Sequence, residues 1–505
     1  MTTNIKQPNL NWLMILFLPL ILSFTLPLLF YQFPIQHYVF NRKVEFTSSD
    51  ILHATIVWVT WIGIAVTTPL LLSRIKNSNG SERHWSLPTI WRGFVVLSVI
   101  CILISPLQYF FSFNSGIEQL LQQLSFAPVV AVVVGIRAIQ DINSSDERQR
   151  HLRLLVCVLL LSLNSAIALV LPVLMGRAAP AVYAGIAILY GLHALKIERK
   201  RQIAIWLVFV MFAGLAMSFK SNFRTSSLGS AFWYHGQYIR IPIKDVLNLG
   251  MLEAHKKAWL KKVDSYHFQE HEATSHVRQD EATSHVRQEV DKLVDGYNNF
   301  YAPKSLSLAD DSQIIFNYTN FDLNYQSIRF ISENYYIPEK VKYLVAKTLN
   351  RINHLGDLTI AIKLTPDSIP YLNGSTYYPL LFKPIPRLLW KDKPEDNSGQ
   401  IYGHRYGALA PTDMTTSANM GVVIEAWING GWLVLVLSSF TFGIMIYLVW
   451  RNLIGESGEI GNIVLGTVFV ASGLATESSM NLVMGGMFYV VLVWWFIEYN
   501  IRTKL

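Results

Sequence analysis

The sequence predicts an all-α integral membrane protein, with about ten transmembrane helices and a large exported cap between the seventh and the eighth. Three observations predict it. Of 505 residues, 51% are hydrophobic, 13% aromatic and only 15% charged, which is more apolar surface than one soluble core of this length buries. Apolar runs approaching the ~20 residues that cross a hydrocarbon core of ~30 Å recur along the chain. Between Lys220 and Met420 the pattern turns polar, so one long segment separates two groups of apolar runs.

In order, the expected spans are 12–31, 51–72, 94–113, 124–139, 152–175, 182–195, 203–218, 432–450, 460–475 and 484–499. They divide the chain into an N-terminal transmembrane bundle (1–219), an exported cap (220–420) and C-terminal transmembrane helices (421–505). The first span has too long an apolar core for a cleaved signal peptide and no A-x-A-like site after it, so it is expected to remain as a helix. Cys101 and Cys157 both fall inside apolar runs, where they read as small buried residues and exclude a disulfide framework.

Basic residues in short loops tend to stay cytoplasmic. Arg74, Lys76 and Arg83 follow the second span, Arg148 and Arg150 the fourth, and the run KIERKR from Lys196 to Arg201 the sixth. The alternate loops are poorer in basic residues: Arg42 and Lys43 in the first, none from Asn114 to Gln123, and Arg177 alone in the third. With Arg502 and Lys504 in the tail, both termini are predicted cytoplasmic and 220–420 is predicted exported. This rule largely accounts for the net charge of +8, which therefore does not signal nucleic acid.

Within the exported segment, 251–294 is rich in Lys, Glu, His and Gln with Leu and Val at helical spacing, which predicts an amphipathic helix or helical hairpin. Inside it EATSHVRQ occurs twice, from Glu272 and from Glu281. That offset is about 2.5 turns, so the copies face nearly opposite sides of a helix. A local duplication on a solvated surface explains them better than a metal site at His271, His276 and His285. From 314 to 330 apolar, aromatic and amide residues alternate. Such a run suits either ordinary packing of a cap or sugar contacts, since rings stack on pyranose faces and amides bond hydroxyls.

The densest run of motifs extends from Arg351 to about Gly443. It holds Arg351, Pro366, Gly374 and Tyr377, then IPRLLWKDKP with Pro386, Arg387, Trp390, Lys393 and Pro394. Arg405 and Tyr406 follow, then Thr415, Thr416 and Ser417, then Glu425, Asn429 and Gly431. This ordered set resembles the Wzy-type O-antigen and exopolysaccharide repeat-unit polymerases. It departs from their pattern at Ile352, in place of a Leu, and at Lys391, often a Pro. A second stretch, LMGRAAPAVYAG from Leu174 to Gly185, is similar to the Gly-Ser-Arg-small motif that these polymerases and O-antigen ligases carry at an external helix start.

The resemblance implies a GT-C-like membrane glycosyltransferase of the bacterial inner membrane, working without a metal or other cofactor between the bilayer and a periplasmic cap. Its donor and acceptor would be glycans on undecaprenyl pyrophosphate, with a chain-length regulator as partner. A pyrophosphate leaving group needs cationic side chains where charge grows, and Arg suits this with its planar fork. Arg387 and Arg177 are the first candidates, with Arg351, Arg405 and Lys393 in support. Pro384 and Pro386 stiffen the approach to Arg387. Arg387 could equally pair with Asp392 or Glu395, Lys391 and Lys393 could form a solvated rim, Trp390 could be an interfacial belt residue, and Arg177 could snorkel. The acceptor hydroxyl must lose a proton to a carboxylate or imidazole. Glu425, His404, Asp413 and Glu477 are candidates, and Glu425 could instead pair structurally with an arginine. Trp390, Tyr377, Tyr406 and Asp413 are the remaining expected substrate contacts. An O-antigen ligase would share Arg177 and the exported loop but not the IPR-x-x-W-x-x-KP block. A flippase or other transporter should show repeats and interrupted helices, and a non-catalytic scaffold is the remaining alternative.

Overall fold

The computed structural model describes residues 13, 16, 17, 20–25, 27, 35–39, 42–75, 83–107, 111–113, 117, 121, 124–142, 147–174, 178–198, 200–205, 207, 208, 211, 212, 241, 242, 354–385, 389, 390, 393, 396–409, 417–454, 459–473 and 478–504. The expected amphipathic segment 251–294, the tandem copies within it and the 314–330 run lie outside them.

Helices dominate the described residues. Two small ribbons depart from the all-α expectation. Strand β1 (Ile35–Val39) pairs antiparallel with β2 (Arg42–Phe46), and Phe111–Ser112 pairs parallel with Ile241–Pro242. Tyr38, Val39, Val44 and Phe46 are β-branched or aromatic, the types that suit a pleated strand.

Helix α1 (Ser48–Ile75) opens on a reciprocal cap. The Thr47 N–H donates to Asp50 Oδ2 at 2.8 Å and the Asp50 N–H to Thr47 Oγ1 at 3.3 Å, each satisfying a donor that a helix start leaves unpaired. Helix α2 (Leu87–Ile104) starts with a proline in its first turn, a position where the missing N–H does no harm. It ends before Pro106, which cannot continue the ladder. The expected span at 94–113 is therefore corrected: bounded by the two prolines, the helix starts seven residues earlier and ends nine residues earlier. Helix α3 (Ala127–Ile142) follows, then α4 (Glu147–Ser165), which runs through a π turn (Ala166–Val170) into Leu171–Leu174, then α5 (Ala178–Ala194).

In the C-terminal half come α6 (His354–Leu364), a 3-10 turn (Tyr378–Leu381), α7 (Ser398–Arg405), α8 (Val422–Val449), α9 (Ile460–Gly473) and α10 (Met480–Lys504). Among the described residues, five stretches are long and apolar enough to cross a membrane: Ser48–Ser73, Leu87–Ile104, His151–Val173, Val422–Leu453 and Met480–Ile501. Pro180–Ala194 and Ile460–Ser472 are shorter apolar helices. The expected spans 12–31 and 203–218 are described only in part. Leu152, Leu155, Leu159 and Leu163 are exposed along one side of α4, an apolar stripe that water would not tolerate and lipid does. Cys101 and Cys157 are buried and unpaired. The chain is a helical membrane protein.

Helices α1 and α8 form the most extensive helix pair among the described elements. Contacts advance in step along both: His53 against Trp427, Trp61 Nε1 donating to Ser438 Oγ at 3.2 Å, and Thr68 against Gly443. The two helices therefore run parallel. Helix α6 packs across both, and its Lys363 reaches Asp50 at 2.8 Å. A second core joins α2, α3, α9 and α10. At one end of these helices Arg83 is buried against Glu498 at 3.1 Å, Trp85 Nε1 donates to the same carboxylate at 3.1 Å, and Asn462 Oδ1 accepts the Arg83 N–H at 2.9 Å. Asn462 Nδ2 also reaches the Leu453 carbonyl at 3.0 Å. Residues 83, 453, 462 and 498 thus share one end of the helices, and the starts of α1, α8 and α10 lie at the other.

Candidate functional site

The site is built around a break in α8. The expected span at 432–450 coincides with the part of α8 after the break, and a further helical stretch, 422–429, precedes it. Gly430 and Gly431 read as a loop before a helix, yet apolar Val422, Val423, Ile424, Ala426 and Ile428 are buried ahead of them. The chain keeps its helical path on both sides and absorbs the break in the glycines, with φ 170° and ψ 32° at Gly430 and φ 56° and ψ −140° at Gly431. The second of these lies in the region that only glycine enters readily.

That break opens backbone and side-chain positions for residues 371–377. The Leu372 N–H donates to the Ile428 carbonyl at 2.9 Å, and the Gly374 N–H to Asn429 Oδ1 at 2.9 Å. Asn429 Nδ2 in turn donates to Thr376 Oγ1 at 2.8 Å and to the Glu425 carbonyl at 2.7 Å. A Cβ at Gly431 would stand 2.6 Å from the Tyr371 hydroxyl, so the close approach requires glycine twice over.

Helix α10 supplies the second wall. Its first N–H, from Met480, donates to Glu425 Oε2. A carboxylate at a helix N-terminus satisfies an orphan donor and meets the positive end of the helix dipole. Asn481 Nδ2 donates to the Thr376 carbonyl and lies 3.4 Å from Ser398 Oγ. The third wall is formed by Lys383, Asp396 and Ser398. Asp396 Oδ1 accepts from the Ser398 N–H at 3.2 Å and from the Ser398 hydroxyl, while Lys383 Nζ lies 3.4 Å from Asp396 Oδ2.

Glu425 is fully buried, and its Oε1 has no hydrogen-bond partner. Thr376 and Asp396 are its polar neighbours. The Tyr377 hydroxyl is also buried, beside Glu425 and Ser438, with no hydrogen bond of good geometry. Burial first, and then the adjacent Glu425 carboxylate, push the Tyr377 phenol well above its ordinary range. It therefore holds its proton at neutral pH. A buried carboxylate oxygen without a hydrogen-bond partner can accept a proton from a group brought within hydrogen-bond reach.

The other expected site residues fall in different places. Lys393 is buried, not on a solvated rim, and its ammonium donates to the Lys383 carbonyl at 3.1 Å and the Ile385 carbonyl at 2.8 Å. Trp390 stands edge-on to Phe382, ring centroids 5.5 Å apart. Arg405 Nη2 donates to the Pro370 carbonyl at 2.9 Å. His404 is fully buried on α7. Tyr406 is buried with its hydroxyl bonded to Thr365 and its ring stacked on Tyr402 at 5.2 Å. Burial pushes the Tyr406 phenol up to about 12. Arg177, Arg351, Arg387, Asp413 and Glu477 lie outside the described residues. Among the described residues no group of three or more His, Cys, Asp or Glu is placed to hold a metal ion.

Sequence reasoning missed Thr376, Asp396, Ser398 and Asn481 as site residues. Asp396-Asn397-Ser398 is a run of helix-start residue types ahead of α7, a signal that could have drawn notice. Asn481 carried none.

The fold and the site together define a class: a helical membrane protein with a buried carboxylate at one end of a broken, membrane-length helix. No protein-family model, no curated protein and no solved structure matches the chain.

Proposed function

We propose that this chain is a membrane glycosyltransferase of the Wzy type, a polymerase that joins undecaprenyl-pyrophosphate-linked repeat units into O-antigen or exopolysaccharide at the outer face of a bacterial inner membrane. The observation that carries this reading is Glu425: fully buried, with Oε1 lacking a hydrogen-bond partner, at the point where residues 371–377 and Asn481 meet α8 and the start of α10. Residues spread from Thr376 to Asn481 converge there, and several belong to the ordered motif that resembles these polymerases. The Arg83 end of the helices is the one followed and preceded by basic loops, which favours the Glu425 end as exported.

In this mechanism the acceptor sugar hydroxyl gives its proton to Glu425 Oε1 as its oxygen bonds the anomeric carbon of the donor. The carbon–oxygen bond to the pyrophosphate breaks, and undecaprenyl pyrophosphate leaves with the electron pair. Arg387, with Arg177, takes up the charge that grows on the leaving oxygen. Glu425 Oε2, held by Met480, fixes the carboxylate so that one oxygen serves the fold and the other the reaction.

The test is incubation of purified protein with cognate lipid-linked repeat units, resolved by gel. The expected result is a ladder that Arg387→Ala removes. A ladder unchanged in Arg387→Ala would refute that assignment. No ladder with the cognate substrate would favour a transporter or a scaffold.

A further inference from the structure

We infer that the turn holding residues 378–385, with 389, 390 and 393, is re-entrant: it dips into the bilayer beside α10 and its apolar side contacts lipid chains. This rests on the chain being a membrane protein and does not require the polymerase reading. The depth comes from α10. The Lys383 side chain packs against Gly485, where a Cβ would stand 2.8 Å from Lys383 Cδ, and Tyr489 donates to the Lys383 carbonyl at 2.6 Å. Gly485 and Tyr489 lie five and nine residues beyond Met480, where the apolar span begins. At 1.5 Å per residue this places Lys383 abreast of α10 at roughly 7–14 Å into the span.

Further observations agree with that depth. Leu381 and Leu389 are 72% and 78% exposed, and Tyr378 and Ile385 are exposed as well. Phe382 links them by edge-on contacts to Tyr378 at 4.9 Å and Trp390 at 5.5 Å. Leu482 and Phe488, within one turn of the Gly485 that Lys383 packs against, are exposed on α10, so the apolar helix beside the turn presents large side chains outward as well. Non-helical backbone at membrane depth must also satisfy its carbonyls internally. The Lys383 carbonyl accepts from both Tyr489 and Lys393, and the Ile385 carbonyl from Lys393. The burial of Lys393 is explained by this capping. The Lys383 ammonium turns back toward Asp396 at 3.4 Å, as a long cationic side chain does at a membrane boundary.

The experiment is spin labelling of the full chain in phospholipid vesicles, one nitroxide at a time, on Leu381→Cys and Leu389→Cys. Phe488→Cys on α10 is the lipid reference and Asp367→Cys, on an exposed turn, the water reference. Both sites of interest are exposed, so the fold tolerates the label, and the native Cys101 and Cys157 are buried and left unlabelled. Labels at 381 and 389 are expected to collide with oxygen more than with a water-soluble nickel chelate, as at 488. Chelate-dominated collision, as at 367, overturns the inference, and so does shielding from both reagents, which would mean that protein covers the patch.

Discussion

At Glu425 one carboxylate oxygen caps α10 and the other has no hydrogen-bond partner, and the two roles can be separated by substitution. Glu425→Gln keeps an oxygen for the Met480 N–H, whereas Glu425→Ala leaves that buried donor without an acceptor, a loss of about 1–3 kcal/mol. Thermal unfolding in detergent should therefore show the alanine variant less stable than the glutamine one. Equal stabilities would remove the cap from the account. Tyr406 makes a separate prediction. Burial raises its phenol from 10.0 to about 12, so the stability held by the neutral phenol is full below the unfolded value and fades as pH rises through the native one. Subtracting the tyrosinate titration of Tyr406→Phe from that of the native protein should leave a step near the upper value, and a step near 10.0 would contradict its burial. The site was legible at residues whose chemistry stands alone, as Glu425 does in an apolar run. Asn429 was visible only as a motif match and Asn481 not at all, because each acts by bonding the backbone of a segment far away in sequence.

At the scale of elements, the broken helix α8 organises the site. Gly431→Ala meets two separate obstacles, a left-handed φ of 56° and a Tyr371 hydroxyl 2.6 Å from the new Cβ. We predict a loss of about 1–3 kcal/mol, measured by thermal unfolding. Adding Tyr371→Phe should restore only part of it, since the dihedral strain remains. Full restoration would show that the contact alone matters. The same glycines explain why the apolar run marked only the part of α8 after the break: they punctuate a sequence as a loop does, and the buried helical stretch 422–429 ahead of them is held by the packing of 371–377 into the gap. The prolines bounding α2 shifted a span for the opposite reason, being stronger limits than the hydropathy around them. The positions of α1, α4, α5, α9 and α10 could be read from length and apolar character alone.

Across the whole molecule, two polar knots hold opposite ends of the bundle: Arg83, Glu498, Trp85 and Asn462 at one end, Glu425, Asn429, Thr376 and Asn481 at the other. Neither knot follows from hydropathy, which reports where helices run and not which ends meet. Glu498→Ala would leave the Arg83 guanidinium buried without its carboxylate, and breaking such a pair costs about 3–5 kcal/mol. The variant should unfold at markedly lower temperature than the native protein, and an unchanged transition would mean that Arg83 finds water. The knot at the Glu425 end carries the proposed chemistry, and the most direct measurement is polymer formation by Glu425→Gln from lipid-linked repeat units, run beside its thermal unfolding. The account predicts a transition close to that of the native protein with ladder formation slowed by about 100-fold or more, the scale of a lost general base. A fully folded Glu425→Gln protein that builds the ladder at the native rate would contradict it.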